Sequence, residues 1–498
     1  MQLSTHTPRK SIVGAIAALL GVNGCAVGPN FHSPAPPATT HYTPGAQPEA
    51  TVEAPVPAGA AQKFIADRDI PGDWWSLFQS EPLDGLVRQA LHDSPTVEAA
   101  KAALRAAQDT YVAERGALLL PTADGQLAAT RERVPGAAFG QPSLPASTFT
   151  LYTASVNVSY RLDLFGASRR QLEGLRAQAD YQRWELEAAD LTLTGNVVTT
   201  AFDVASLRAQ LAAVNDVVVS EGAQLKVIQR QFDVGGVSRS DILSQQAQLA
   251  QAQAQVPALE KALAQAQHRL AVLAGRTPDD ATLPDFTLDQ LALPTELPVT
   301  VPAKLIRQRP DVQAAEALLH QASAQVGVAT ANLFPQLNLT GTIGSESLSS
   351  QGLLGPGTGA WSAGAALLQP LFHGGELRYK RRAAIDSLDQ AAANYRQAVL
   401  SAMQDVADTL RALEADARDL RAQVEAERTA ADALAIAQKQ FRLGGVSYLT
   451  VLNAQRLYSQ SRLSRVQSQA TRYADSAALF QALGGGWWNR KDTEGAGK

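Results

Sequence analysis

The side chains able to do chemistry in this 498-residue chain are few and scattered. Its seven histidines stand at positions 6, 32, 41, 92, 268, 320 and 373, and no two share metal-ligand spacing with a carboxylate nearby. Surface and packing roles fit them better than catalysis. Residues 352–359 hold several glycines with no Lys-Ser or Lys-Thr after them, so they read as a loop and not a phosphate cradle. There is no Gly-x-Ser-x-Gly elbow to present a nucleophile. Met1 and Met403 are the only methionines, too few for a relay of soft copper ligands. The single cysteine, Cys25, excludes an internal disulfide framework and a cysteine-based zinc site. It is left as a free thiol or a site of modification.

The surroundings of Cys25 favour modification. Arg9 and Lys10 form a positive start, and Ile12 to Leu20 form an apolar stretch too short to span a bilayer. Gly24 then precedes Cys25, which resembles a bacterial lipoprotein processing site. In such signals the cysteine becomes the mature N-terminus and carries lipid, so residues 1–24 are read as a signal peptide. Ala26 resembles the residue of lipoproteins sent to the outer membrane. Removing 1–24 takes away two basic residues and no acid. Lys plus Arg falls from 43 to 41 against 47 Asp plus Glu, and the net charge moves from −4 to −6. A phosphate-binding surface needs a basic excess, so nucleic acid is excluded as a partner. No later stretch reads as a membrane helix, since the greasy 187–205 carries Glu187, Asp190 and Asp203. A chain of this kind that crosses a membrane must do so as a closed β-barrel.

An internal repeat organises the rest. Residues 231–238, Gln-Phe-Asp-Val-Gly-Gly-Val-Ser, return at 440–447 as Gln-Phe-Arg-Leu-Gly-Gly-Val-Ser, identical at six of eight positions. Pro95-Thr96-Val97 matches Pro310-Asp311-Val312, Pro121 matches Pro335, and Leu164-Phe165 matches Leu371-Phe372. The order is the same in both halves. Helices are expected over 96–119 and 311–333, stopped by Pro121 and Pro335. Alternating apolar and polar residues then predict two strands per half, near 122–134 and 149–165, then 335–347 and 359–373. Trp361, inside the last of these, either faces lipid or packs within a barrel.

Long proline-free helices follow, about 167–232 and 375–442. At ~1.5 Å per residue such a helix runs roughly 100 Å and needs lateral partners along its length. Each Gly-Gly ends one, and Ser238 and Ser447 are placed to N-cap returning helices at 239–275 and 448–483. Each half therefore makes a long antiparallel hairpin. Four strands cannot close a bilayer-spanning barrel, for which about eight is the minimum. Other copies of the chain must complete it.

By these residues the chain resembles the TolC-like outer-membrane efflux factors, in the lipoprotein branch typified by OprM and NodT. Cys25-Ala26-Val27-Gly28-Pro29-Asn30-Phe31 looks like the branch's mature N-terminus, and Asp73-Trp74-Trp75-Ser76-Leu77-Phe78 its tryptophan motif. Arg309-Pro310-Asp311-Val312, Phe334-Pro335, Gln369-Pro370-Leu371-Phe372 and Ala482-Leu483-Gly484-Gly485-Gly486-Trp487 look like its later signatures. The likeness covers about 25–487. It implies a mainly α fold with β: a homotrimer with a 12-stranded β-barrel joined to a periplasmic α-helical barrel, and two structural repeats per chain. The organisation expected is a lipidated extended strap at 25–62, a first repeat at 63–300, a second at 301–487 and a flexible tail at 488–498.

The resemblance implies no enzyme activity and no cofactor beyond the covalent lipid on Cys25. It implies passive conduction to the exterior, with a periplasmic adaptor (membrane fusion) protein and an inner-membrane RND-type pump as partners. Asp241 matches a position that ties the closed entrance, and Leu449, Thr450 and Asn453 match the constricting segment. Asn453 stands where relatives usually carry aspartate. Three asparagines could hydrogen-bond across an axis but would bind a divalent ion less strongly. The tips Gly235, Gly236, Val237, Ser238 and Gly444, Gly445, Val446, Ser447 are implied adaptor contacts, or simply helix caps. Two other readings use the same elements: the outer-membrane conduit of a type I secretion system, and a lipid-anchored periplasmic coiled-coil scaffold with no channel.

Overall fold

The computed structural model describes residues 26–490 apart from 46, 141 and 281. The signal segment, Cys25 and 491–498 lie outside the described residues. In chain order the elements are β1 (Lys63–Ala66), α1 (Glu81–Asp93), α2 (Pro95–Leu119), β2 (Thr122–Val134), β3 (Ser147–Leu162), α3 (Ala167–Asp233), α4 (Arg239–Leu273), β4 (Glu296–Val299), α5 (Pro302–Gln308), α6 (Pro310–Ala331), β5 (Gln336–Ser347), β6 (Gly359–Leu368), α7 (Glu376–Arg442) and α8 (Tyr448–Ala482). The chain divides into two compact units.

The first unit, from 26–33, 104–181 and 315–395, holds an antiparallel sheet of order β2-β3-β5-β6. Directly opposed residues share a face. Val156 stands between Gly125 and Ile343, and Ile343 in turn opposes Trp361. Leu162, Leu337 and Leu367 form another such row. The opposite face is polar. There Thr342 Oγ1 donates to Asn157 Oδ1 at 2.9 Å, and Asn157 Nδ2 donates to Gln126 Oε1 at 3.4 Å. Trp361 lies on the apolar face and is 80% exposed.

Two strand ends differ from expectation. β3 stops at Leu162 because Asp163 turns to the next helix, accepting the Arg169 backbone N–H at 3.0 Å. β6 stops at Leu368 and not 373, since Pro370 has no N–H for the ladder; beside it the Gln369 side-chain Nε2 donates to Leu333 O at 3.2 Å.

The second unit, from 34–103, 182–314 and 396–490, is built on α-helical packing around an aromatic core. Trp74 stacks on Phe480 at 5.5 Å, and Phe78 meets Phe202 at 4.9 Å. Trp74, Phe78, Phe202 and Phe480 are all buried. Against this core lies the one apolar window of α3 that passes for a membrane span, with a mean hydropathy of 1.2. The sequence reading gave no such stretch. Its Val197, Val198, Ala201 and Phe202 are buried, as core residues are. β1 and β4 pair in parallel across more than 200 residues of chain, a contact without a local sequence signal.

The strap is tied down by a buried arginine. Arg472 on α8 donates to Ala58 O at 2.6 Å, Ala60 O at 3.1 Å and Gln62 Oε1 at 3.0 Å. The start of the expected flexible tail is tied as well, which corrects that expectation for 488–490. Trp488 Nε1 donates to Asp69 at 2.9 Å, Asn489 Nδ2 to Ile70 O at 2.7 Å, and Arg490 to Asp190 at 2.7 Å. Trp487 also packs edge-on to Trp184 at 5.1 Å, so apolar burial holds this end too.

Burial, with Asp475 beside it, raises the Asp416 carboxyl to about 8. The folded chain thus holds a proton that the unfolded chain, with an aspartate pKa of about 4, releases. Stability from this group is complete at low pH and lost as pH rises through the folded value. The thermal midpoint should fall between about pH 5 and pH 8.5, and Asp416→Asn should flatten that slope. An unchanged slope in the variant would remove Asp416 as its source.

Candidate functional site at the hairpin tips

Each tip forms where a long helix reverses. Gly235 and Gly444 take positive φ angles of 77° and 75°, which a side chain would strain. The chain then folds back, with Gly236 N–H donating to Gln231 O at 2.7 Å and Gly445 N–H to Gln440 O at 2.9 Å. These are helix C-caps of the same kind in both repeats. Val237 and Val446 are half-buried beneath them, and the glycines and both serines are exposed.

The first tip closes with a capping box. Ser238 Oγ accepts the Asp241 N–H at 3.3 Å, and the Asp241 carboxylate accepts the Ser238 N–H at 2.8 Å and its hydroxyl at 2.7 Å. Asp241 therefore binds its own helix start first. The second tip lacks this. Ser447 occupies the N-cap position but its side chain accepts no helix N–H, and with Thr450 as its third neighbour no carboxylate reaches back to its own N–H. The two hydroxyls sit 3.4 Å apart. The expected Ser447 cap is thus corrected.

On α8, Leu449, Thr450 and Asn453 share one exposed face, as spacings of three and four dictate. Tyr448, Val451, Leu452 and Gln455 form the buried face opposite. Tyr448 and Val451 pack with Ile228 of α3 and Ala437 of α7 in a small core that joins both hairpins. Phe441 covers Tyr448 at 5.2 Å.

Beside this core runs a buried polar chain that the sequence reading missed. Gln245, wholly buried on α4, donates from Nε2 to Glu221 Oε2 at 2.6 Å and to Glu221 O at 2.9 Å. Its Oε1 accepts the hydroxyl of Tyr448. Burial lifts the Glu221 carboxyl above its ordinary value, against the pull of the Gln245 hydrogen bond. Burial raises the Tyr448 phenol too. One glutamine thus links three helices, two from the first hairpin and one from the second. In an Ala- and Gln-rich helix, nothing local marks Gln245 out.

In the other unit, the residues just after Cys25 are gripped. Val27 N–H donates to Phe165 O at 3.1 Å, Arg170 donates to Asn30 Oδ1 at 2.6 Å, and Phe31 stacks on His320 at 4.3 Å. Glu173 completes the clasp, 2.7 Å from Arg170 and 2.9 Å from His320. Burial pushes the Glu173 carboxyl up, but hydrogen bonds from Arg170 and His320 outweigh it and bring it below its ordinary value. Gly327 is needed here, since a Cβ would meet Arg170 at 2.7 Å.

A duplicated hairpin, matched glycine tips and a sheet with one apolar face are the geometry with which known proteins can be compared. Residues 86–276 and 301–485 match the family described as outer membrane efflux protein. The chain belongs to this family. Each matched segment contains one of the two Gly-Gly-Val-Ser tips. The pyoverdine export outer membrane protein OpmQ of Pseudomonas putida is 31% identical over 460 residues, spanning 91% of this chain and 94% of OpmQ. The solvent efflux pump outer membrane protein SrpC of the same species is 30% identical, spanning 94% and 97%. The solved outer-membrane channel OprN superposes with a TM-score of 0.83 at 27% identity, over 93% of this chain and 100% of that one. The outer membrane efflux proteins conduct cargo out of the cell, and they reside in the outer membrane.

Proposed function

We propose that this chain is the outer-membrane channel of a tripartite efflux system. Three copies would form a 12-stranded barrel joined to an α-helical conduit, anchored by lipid on Cys25. The observation that carries the reading is the sheet: one apolar face, one hydrogen-bonded polar face and two unpaired edges. In a closed barrel the apolar face meets lipid, the polar face lines water and the edges vanish. A periplasmic scaffold has no use for such a sheet, which argues against that alternative. A type I secretion conduit would share every element and differ only in its inner-membrane partner.

The tips would form the periplasmic entrance, with Leu449, Thr450 and Asn453 facing the axis and Asp241 holding the first hairpin's turn. Gly235, Gly236, Val237, Ser238, Gly444, Gly445, Val446 and Ser447 would meet the adaptor, and an RND-type pump would supply the energy. The relatives' names mention pyoverdine and solvents, which supports small organic molecules as the class of cargo.

Planar-bilayer conductance of the mature protein, with its mass in the same detergent, tests this. A trimer with small, long-lived conductance is expected; a monomer without conductance would overturn it. Cys25→Ser should abolish incorporation of labelled palmitate, and full labelling of the variant would remove the anchor from Cys25.

A further inference from the structure

We propose that β6 of one copy pairs with β2 of a second copy in a register set by the internal repeat, with Leu367 opposite Leu127. This rests on the trimeric-channel reading and specifies its seam. Both strands lie at the edges of the sheet, and every residue of β6 is exposed. An edge with unpaired N–H and C=O groups beside an apolar face is stable in a bilayer only when another strand covers it.

The register follows from how the first repeat maps onto the second. β2 begins at Thr122 and β5 at Gln336, each just after a proline, 214 residues apart. Thr122 pairs with Ser159, and Gln336 pairs with Leu368, which is 209 residues beyond Ser159. The helices that follow begin at Ala167 and Glu376, again 209 apart. Each starts after a glycine of positive φ, Gly166 at 84° and Gly375 at 89°. Sheet pairing, helix start and backbone conformation therefore agree on one mapping.

Within the chain, the joint between repeats is the pairing of β3 with β5, where Leu162 opposes Leu337. Carried to the outer edges by the same mapping, β3 becomes β6 and β5 becomes β2 of the next copy. Leu371 then falls opposite Ala123, Leu367 opposite Leu127, and Trp361 opposite Arg133. The pleat gives an independent check. Trp361 and Leu367 share a face with Ile343 and Leu337, and Leu127 and Arg133 share the face of Ala154 and Thr148. In each strand this is the face to which Val156 belongs, so this face runs on across the seam, with Leu367 against Leu127 and Trp361 against Arg133. A slip of one residue would put Leu367 opposite Gln126 and mix the faces. Trp361 would also stack on the Arg133 guanidinium.

A second exposed feature fits the same joint. In the first repeat Phe165 stacks on Phe334 at the end of α6, at 4.8 Å. The pair that matches Leu164 and Phe165 in sequence, Leu371 and Phe372, is 92% and 88% exposed, and Leu120 at the end of α2 is 63% exposed. The seam brings these together between copies. The pair sits two positions farther from its helix than in the first repeat, so it supports the joint without setting the register.

Cysteine pairing in the full-length protein, oxidised in native outer membranes, tests the register. Cys25 is the only native cysteine, so single variants show the background. Leu367→Cys with Leu127→Cys should give covalent trimer. Pairing Leu367→Cys with Gly125→Cys or Ala129→Cys should give about fivefold less, because diagonal neighbours lie beyond disulfide reach. The reduced double variant should keep trimeric mass, which separates failure to link from failure to fold. A greater yield with Gly125 or Ala129 overturns the register. No linkage at any pair in an intact trimer overturns the seam and leaves the channel standing. A monomeric mass for the unaltered chain overturns the channel reading itself.

Discussion

Ile343→Arg is expected to abolish trimer in the outer membrane, while Thr342→Arg, one residue away, is expected to assemble. Ile343 lies near the middle of β5 on the apolar face, between Val156 and Trp361, and is 66% exposed there. An arginine facing lipid near the bilayer midplane costs about 2–4 kcal/mol per chain. A trimer carries it three times, which is comparable to the whole stability of a typical domain. Thr342 faces the other way, toward Asn157 and Ser362 on the polar face. An arginine there stays in water and should only lower the conductance for cations. The readout is folded trimer in washed outer membranes, compared at equal expression. Equal trimer from both variants would show that this face does not meet lipid.

That contrast rests on alternation that is plain in the sequence. Val156, Val158, Tyr160 and Leu162 alternate with polar residues, so the faces of β3 can be read without a structure. The hairpins and their tips were legible for the same reason: long proline-free runs ended by Gly-Gly pairs. The capping partner at the first tip was not, although Ser238 and Asp241 stand at capping-box spacing. What failed to show were contacts between distant residues. Arg170 reaches Asn30 across 140 residues and Arg472 reaches Gln62 across 410, and neither arginine differs locally from its solvated neighbours. The start of the tail differs from expectation because nothing in its charged sequence marks Trp488, Asn489 and Arg490 as anchored to residues hundreds of positions away. Strand ends were off by a few residues where a single proline or aspartate, and not the periodicity, decided them.

Gln245→Leu should loosen the tips more than any change at the exposed glycines. The leucine fills nearly the same space, so the core of Ile228, Tyr448 and Val451 stays filled. What it removes is the amide that donates to the Glu221 carboxylate and accepts from the Tyr448 hydroxyl, which Gln224 still reaches. The stranded carboxylate is the larger loss, at least about 1–3 kcal/mol. The expected results are a lower thermal midpoint and a several-fold rise in channel opening. Gln245→Glu separates lost bonding from general damage. At neutral pH it sets a second carboxylate against Glu221 and should open the tip as the leucine does. The shared site favours the protonated form, so as pH falls one carboxyl regains a proton and can again donate to Glu221. Closure should therefore return at low pH in the glutamate variant and not in the leucine variant. If both variants conduct as the unaltered channel does, Gln245 only fills space, and the tips are held by apolar packing alone.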